Sequence, residues 1–230
     1  MKAKLFARKT SALLVGTAAF VAGVAFLLSD AGCGSSSSGG GLPNGPATLN
    51  QVLQGRAIVT SSGCSDCHNH NGSDNPSDPE WLAGYVGAAG GTGTGTYQIG
   101  PFQTYAANLT PDQQTGIGRF TETQIFNALR YGLDPAYTPS VVITSTTPGH
   151  GNYPSIPHYL APPMPWTSIR NNSDSDLWAI AAYLKHGIKS VSNPVPSSQG
   201  PPDFWASTYS AAINAYPLPN YPAGNEQFSP

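Results

Sequence analysis

The chain has 230 residues, of which only 10% are charged, with 10 basic side chains against 12 acidic ones. So few cations exclude a nucleic-acid binder, which needs a basic face to meet phosphate. The 26 glycines and 22 prolines describe a loop-rich protein whose central part is the right size for one small domain.

The N-terminus opens with Lys2, Lys4, Arg8 and Lys9, followed by an apolar run from about Ser11 to Leu28. This is the pattern of an export signal. Three endings fit it. Cys33 can be the lipidated first residue of a bacterial lipoprotein, with Ser35 to Gly41 as a flexible tether. Cleavage can follow Ala31, or the apolar run can stay as a single-span anchor. Cysteine arithmetic favours lipidation, because the chain has 3 Cys and the other two have a separate use. Asp30 stands where lipoprotein signals usually carry leucine. The segment before Cys33 holds four basic residues and one acidic, so the remainder carries six against eleven, a net charge of −5. An acidic exported protein suits a partner with a basic or apolar docking surface.

The first helix is expected from Leu49 to Ser61, leading into Cys64-Ser65-Asp66-Cys67-His68. Cys-x-x-Cys-His is the attachment signature of haem c. The two thiols can add to the two vinyl groups, and His68 on the same turn can then ligate the iron. A thioredoxin-like dithiol or a zinc half-site does not require the histidine, and the sequence has no second cysteine pair to complete a zinc tetrad. Asp74, Asp78 and Glu80 lack the spacing of a calcium loop, and Gly90 to Thr96 reads as a flexible turn.

A second helix opens with the capping box Thr121-x-x-Gln124, buries Ile125, Phe126 and Leu129, and stops at Gly132. An irregular stretch from Asp134 to Pro163 follows. It leads to Met164, the one methionine besides Met1, flanked by Pro162, Pro163 and Pro165. Prolines on both sides should hold this backbone extended and stiff, presenting the thioether to a metal. Met164 is the expected distal ligand, with His150 or His158 as the alternative. His70 is too close to the haem motif, and His186 fits a helix C-terminus. The third helix is capped by Ser173, carries the stripe Leu177, Ile180, Ala181 and Leu184, and ends through Lys185 and His186 at Gly187. No segment has sustained two-residue alternation, so little sheet is expected. The aromatic tail, with Phe204, Trp205, Tyr209 and Tyr216, is expected to pack on the domain or on a partner.

The haem motif after a short helix, the proline-flanked methionine and the closing Ala182-Tyr183-Leu184-Lys185 resemble a class I monohaem cytochrome c. Asn108-Leu109-Thr110-Pro111-Asp112, Thr115 to Thr121, Ala128 to Gly132, Pro163-Met164-Pro165 and Ser175-Asp176-Leu177 narrow the match. Over about Gly55 to Pro196 the chain looks like the cytochrome c domains of bacterial alcohol and gluconate dehydrogenase complexes. It departs from them in carrying one haem motif where they usually carry several, and in its long 134–163 loop.

The resemblance implies a mostly α fold, helices packed around one covalently bound haem, with long loops. It implies that the first and third helices cross, with Ile180 and Tyr183 near Gly55 and Val59. Cys64 and Cys67 would hold the haem and His68 would be the proximal ligand, its second ring nitrogen bonded to a carbonyl such as that of Pro101. The Asn108-to-Phe120 loop would wall the propionates, with Tyr105, Asn108, Arg130 and Trp166 as candidate partners.

The expected layout is an export signal over 1–32, a Ser/Gly/Pro-rich tether over 33–48, a cytochrome c domain over 49–190 and a Pro/aromatic-rich extension over 191–230. No acid–base pair, nucleophile constellation or nucleotide loop is present in the sequence. The expected role is a periplasmic, lipid-anchored carrier of single electrons, passing them from a donor such as a dehydrogenase to an oxidase or reductase. A haem enzyme or gas sensor with an open sixth position is the alternative.

Overall fold

The N-cap of the first helix is a reciprocal pair. Thr48 accepts from the Gln51 amide while Gln51 Oε1 accepts from the Thr48 amide at 2.9 Å, and α1 runs Leu49–Ser61. The computed structural model describes residues 46–198 and 205–228. The export signal, Cys33, most of the tether and Phe204 therefore lie outside the described residues. Gly63, at φ +66°, turns the chain sharply into α2, Cys64–His68.

A two-stranded antiparallel hairpin follows, β1 Thr96–Ile99 and β2 Phe102–Tyr105, paired Thr96 to Tyr105 and Ile99 to Phe102. It is the only sheet among the described residues, in keeping with the low sheet content expected. After a 3₁₀ turn at Ile117–Arg119, α3 runs Glu122–Tyr131. It has the expected Thr121 capping box and a left-handed Gly132 at its end. Two short helices come next, α4 at Trp166–Ile169 and α5 at Asp174–Ala182. Helix α5 continues as a wider π turn, Tyr183–Gly187, to the stop expected at Gly187. Helix α6, Ala206–Asn214, lies in the tail. Among the described residues no helix is long and apolar enough to cross a membrane.

The first core cluster joins α1, α3 and α5 through Val59, Ile125, Leu129, Leu177, Ile180 and Leu184, with Trp81 and Leu82 from the loop after α2. A helix cap contributes about 1 kcal/mol, whereas each fully buried large apolar side chain contributes about 1.5–3 kcal/mol. Packing therefore outweighs capping in holding α5, whose Leu177 is fully buried. The expected crossing of the first and third helices is present. A Cβ on Gly55 would stand 1.9 Å from the Ala179 carbonyl oxygen and 2.8 Å from Tyr183 Cβ, so the backbones touch there.

Ile143, Tyr153 and Tyr159 of the long 134–163 segment build a second cluster with Leu133 and Trp166, closed by Ile213 of α6. The tail thus packs on the domain. Trp205 Nε1 donates to the Tyr159 carbonyl at 3.2 Å, and Arg130 Nη1 donates to the Tyr216 hydroxyl at 2.7 Å.

Candidate haem site

One turn of α2 carries Cys64, Cys67 and His68, and spacings of three and four residues bring side chains to one face of a helix. Both cysteines are free thiols and half-buried. Burial pushes the Cys64 thiol up to about 11, as its contact with the first apolar cluster requires.

His68 Nδ1 lies 2.8 Å from the Ala107 carbonyl oxygen. A carbonyl only accepts, so Nδ1 carries the proton and Nε2 keeps its lone pair for a metal. The ring keeps some exposed area yet lies deep among neighbouring atoms, as a side chain on a concave wall does. That depth holds its pKa below the ordinary histidine value, partly offset by the bond to Ala107.

The expected carbonyl was that of Pro101, and the structure gives Ala107 instead. Pro101 sits in the turn of the β1–β2 hairpin, between Ile99 and Phe102. The strand leaving that hairpin runs beside residues 82–85, with Tyr85 N donating to Ala106 O at 2.9 Å and Leu109 N to Leu82 O at 2.9 Å. Gly84, at φ +83°, lets the two backbones close, since a Cβ there would stand 2.6 Å from the Ala107 carbonyl carbon. Gly84 N also donates to the His68 carbonyl at 2.7 Å, locking α2 to the same pair of strands.

Met164 is half-buried and packs on the first cluster, the same cluster that Cys64, Leu109, Phe120 and Phe126 border. Its backbone is a turn and not the extended segment expected: Met164 N donates to Ala161 O at 3.2 Å. The buried Thr104 hydroxyl donates to the Pro162 carbonyl at 3.0 Å, fastening the proline loop to β2.

The other histidines are engaged with other side chains or exposed. His70 Nδ1 is 2.9 Å from a Glu80 carboxylate oxygen, and His186 Nε2 is 2.7 Å from Glu122 Oε1. His158 stacks on Tyr137 at 4.7 Å, and His150 is exposed in a turn.

The four candidate propionate partners are placed as follows. The Tyr105 hydroxyl accepts from Gly90 N at 2.6 Å and donates to Gln103 Oε1 at 2.9 Å. Asn108 Oδ1 accepts from the Thr110 amide and hydroxyl, and its Nδ2 donates to the Val191 carbonyl at 2.8 Å. Arg130 is paired with Asp174 and bonded to the Arg170 carbonyl. Trp166 is fully buried in the second cluster, against Gly132, Tyr159 and Tyr209. The polar groups of Tyr105, Asn108 and Arg130 serve the chain's own contacts, whereas Trp166 Nε1 is buried with no hydrogen-bond partner among the described residues. Asn108 shapes its turn, and Asn193 spans from that loop to the Ala83 and Tyr85 carbonyls at 2.7 and 2.9 Å. Residues 191–193, expected to open the tail, are therefore tied into the domain.

One site residue escaped sequence reading. Tyr97 of β1 brings its hydroxyl to Cys67, and burial first, then that contact, raises its pKa. The signal available was the short run Thr96 to Tyr105, strand residues around a Gly100-Pro101 turn. Asp74 and Asp78 accept hydrogen bonds from Ser65, Asn69 and Asn71. Among the described residues no three His, Cys, Asp or Glu side chains gather as they would around a metal ion. The residues present do fit a haem c. Two free thiols share one helical turn with an imidazole held through Nδ1, and one of them, Cys64, borders the same apolar cluster as the Met164 thioether.

No family model matches the chain. It is 30% identical over 132 residues, 57% of its length, to one of the subunits of nicotinate dehydrogenase from Pseudomonas putida. It is 26% identical over 150 residues, 65% of its length, to the fructose dehydrogenase cytochrome subunit of Gluconobacter japonicus. It is 25% identical over 173 residues, 72% of its length, to the gluconate 2-dehydrogenase cytochrome c subunit of Pantoea cypripedii. The chain spans 8%, 24% and 31% of these relatives' own lengths. It resembles the cytochrome c subunits of bacterial dehydrogenase complexes.

Proposed function

We propose that the chain is a monohaem c-type electron-transfer protein that receives electrons from a dehydrogenase partner. The observation that carries this reading is the His68–Ala107 bond. It leaves Nε2 as the one ring nitrogen available to a metal, on the turn that also carries both thiols. Cys64 and Cys67 would hold the haem covalently, and His68 and Met164 would ligate its iron. Bound haem c supplies a one-electron Fe(III)/Fe(II) couple, and a thioether opposite a histidine favours the reduced state.

The chain's own part is rigid support. Ala107 fixes the His68 tautomer, Thr104 holds the proline loop, and the first cluster keeps water from the thioether side. Rigid ligation suits a group that changes charge without changing coordination. The likeness to dehydrogenase cytochrome subunits supports a dehydrogenase as donor, with catalysis in a separate subunit. Export, a lipid anchor at Cys33 and a periplasmic location complete the proposal on the sequence pattern alone.

The test is the visible spectrum of the matured protein in both oxidation states, with and without carbon monoxide, beside Met164→Ala. The carrier reading expects a low-spin wild type with a sulfur–iron band and no response to carbon monoxide. The variant should lose the band and bind the gas. A wild type that binds carbon monoxide readily, or a variant indistinguishable from it, moves the assignment to a haem enzyme or sensor.

A further inference from the structure

Tyr97 and Thr104 face each other across the β1–β2 hairpin. Side chains directly opposite in an antiparallel pair lie on the same face, with Cβ atoms about 5 Å apart. The two reach different parts of the candidate haem site. Thr104, only 3% exposed, donates to the Pro162 carbonyl at 3.0 Å, two residues before Met164. Tyr97 carries its hydroxyl to the Cys67 sulfur, next to His68. The backbone holds the hairpin in this place. Gly95, at φ +84°, leads into β1, and a Cβ there would stand 3.0 Å from the Cys67 carbonyl oxygen. Ala106 N donates to the Gly95 carbonyl at 2.8 Å, and the next carbonyl, that of Ala107, holds His68. One hairpin and the strand leaving it therefore meet Cys67, His68 and the Met164 loop.

A thiol can donate or accept, whereas a thioether sulfur only accepts. Once Cys67 is joined to a haem, the tyrosine hydroxyl can only be the donor of this pair. Burial first, then the contact with Cys67, raises the Tyr97 pKa, so the hydroxyl keeps its proton at neutral pH. The positive end of its O–H dipole then points at the sulfur to which the porphyrin edge is bonded. Positive potential there favours the reduced, less positive iron, and hydrogen bonding around the group is one of the levers a protein has on haem potential.

We propose that Tyr97 is a positioning residue of the haem site, whose hydroxyl donates to the Cys67 thioether sulfur and raises the reduction potential. This role rests on the proposed attachment of haem c at Cys64 and Cys67.

The test compares the matured wild type with Tyr97→Phe, which removes the hydroxyl and keeps the ring. Both should give the pyridine haemochrome spectrum of a haem joined by two thioethers, and both should show the same sulfur–iron band. At equal pH and ionic strength the midpoint potential of the variant should be lower. A role confined to folding would lower its denaturant midpoint and leave the potential in place. Should Tyr97→Phe not fold, 3-fluorotyrosine incorporated at position 97 gives a stronger donor of nearly the same shape. At mildly acidic pH, where that hydroxyl keeps its proton, the potential should rise above the wild-type value. An unmoved potential in the haem-bearing variant overturns the role of Tyr97 and leaves the haem reading intact. A wild type that matures without two thioethers overturns both.

Discussion

A backbone carbonyl and a threonine hydroxyl, the plainest groups near the site, hold the two side chains proposed as iron ligands: Ala107 bonds His68, and Thr104 fastens the loop that carries Met164. Neither has a sequence signature: Ala107 contributes only its C=O, and Thr104 reads as one more strand residue. Thr104→Val removes the donor to the Pro162 carbonyl and leaves that carbonyl without its partner, a loss of about 1–3 kcal/mol. We expect a weakened sulfur–iron band and partial carbon monoxide binding in this variant, measured beside its denaturant midpoint. A variant that loses stability but keeps the full band would confine Thr104 to folding.

Asp112 acts on the adjoining loop. Its carboxylate accepts from the Thr115 amide and hydroxyl, the Gln114 amide and the Ser190 hydroxyl. These bonds hold its pKa below the ordinary 3.8. A carboxyl depressed by folding stabilises the fold above its unfolded pKa, and that stability is lost as pH falls through the lower, folded value. Asp112→Asn should therefore flatten the acid limb of the thermal midpoint below about pH 4, the ordinary carboxylate value. A limb that stays as steep would assign it to other carboxylates.

At the scale of elements, the crossing of α1 and α5 has the least tolerance. Gly55→Ala drives a methyl against the Ala179 carbonyl, a backbone atom that cannot rotate away. A loss of about 1–3 kcal/mol, toward the upper end, is expected in chemical denaturation, without change in the ligand set. Wild-type stability in the variant would mean that the helices can slide apart at no cost. The resemblance to class I cytochromes c implied this crossing, while α1, α3 and α5 were legible in the sequence itself because caps, glycine stops and apolar stripes are local signals. The hairpin, α4 and α6 were not. Two four-residue strands carry too short an alternation, α4 is a single turn, and α6 has no side-chain hydrogen bond at its N-cap. The same locality explains the propionate candidates. Asn108 and Arg130 meet partners 44 to 86 positions away, contacts that no local pattern shows. The Tyr105 hydroxyl was taken up by Gly90 and by Gln103 of its own strand.

Across the whole molecule, two clusters divide the work. The first borders Cys64 and Met164, and the second, built from the 133–159 segment, Trp166 and α6, gives the tail its seat. Of the six cations beyond Cys33, Arg130 and Arg170 are buried, and Lys185 donates to the Gly118 and Phe120 carbonyls. The outer surface is accordingly left mainly to carboxylates, which suits a partner with a basic or apolar docking surface.

The placing of Met164 far along the chain has a kinetic consequence. From His68 to Met164 is a loop of 96 residues, and to His158 one of 90. Loop closure costs about 0.6 kcal/mol per doubling of length, so chain entropy does not separate the two in an unfolded, haem-bearing chain. Imidazole is the stronger donor, and capture of His150 or His158 should trap the refolding chain until it is released. Protonated imidazole cannot ligate, and unfolded histidines titrate near about 6.5. Refolding from denaturant should thus be slow and biphasic at pH 7.5 and faster at pH 5, with His150→Asn/His158→Asn removing most of the slow phase. Equal rates at the two pH values would rule out this detour.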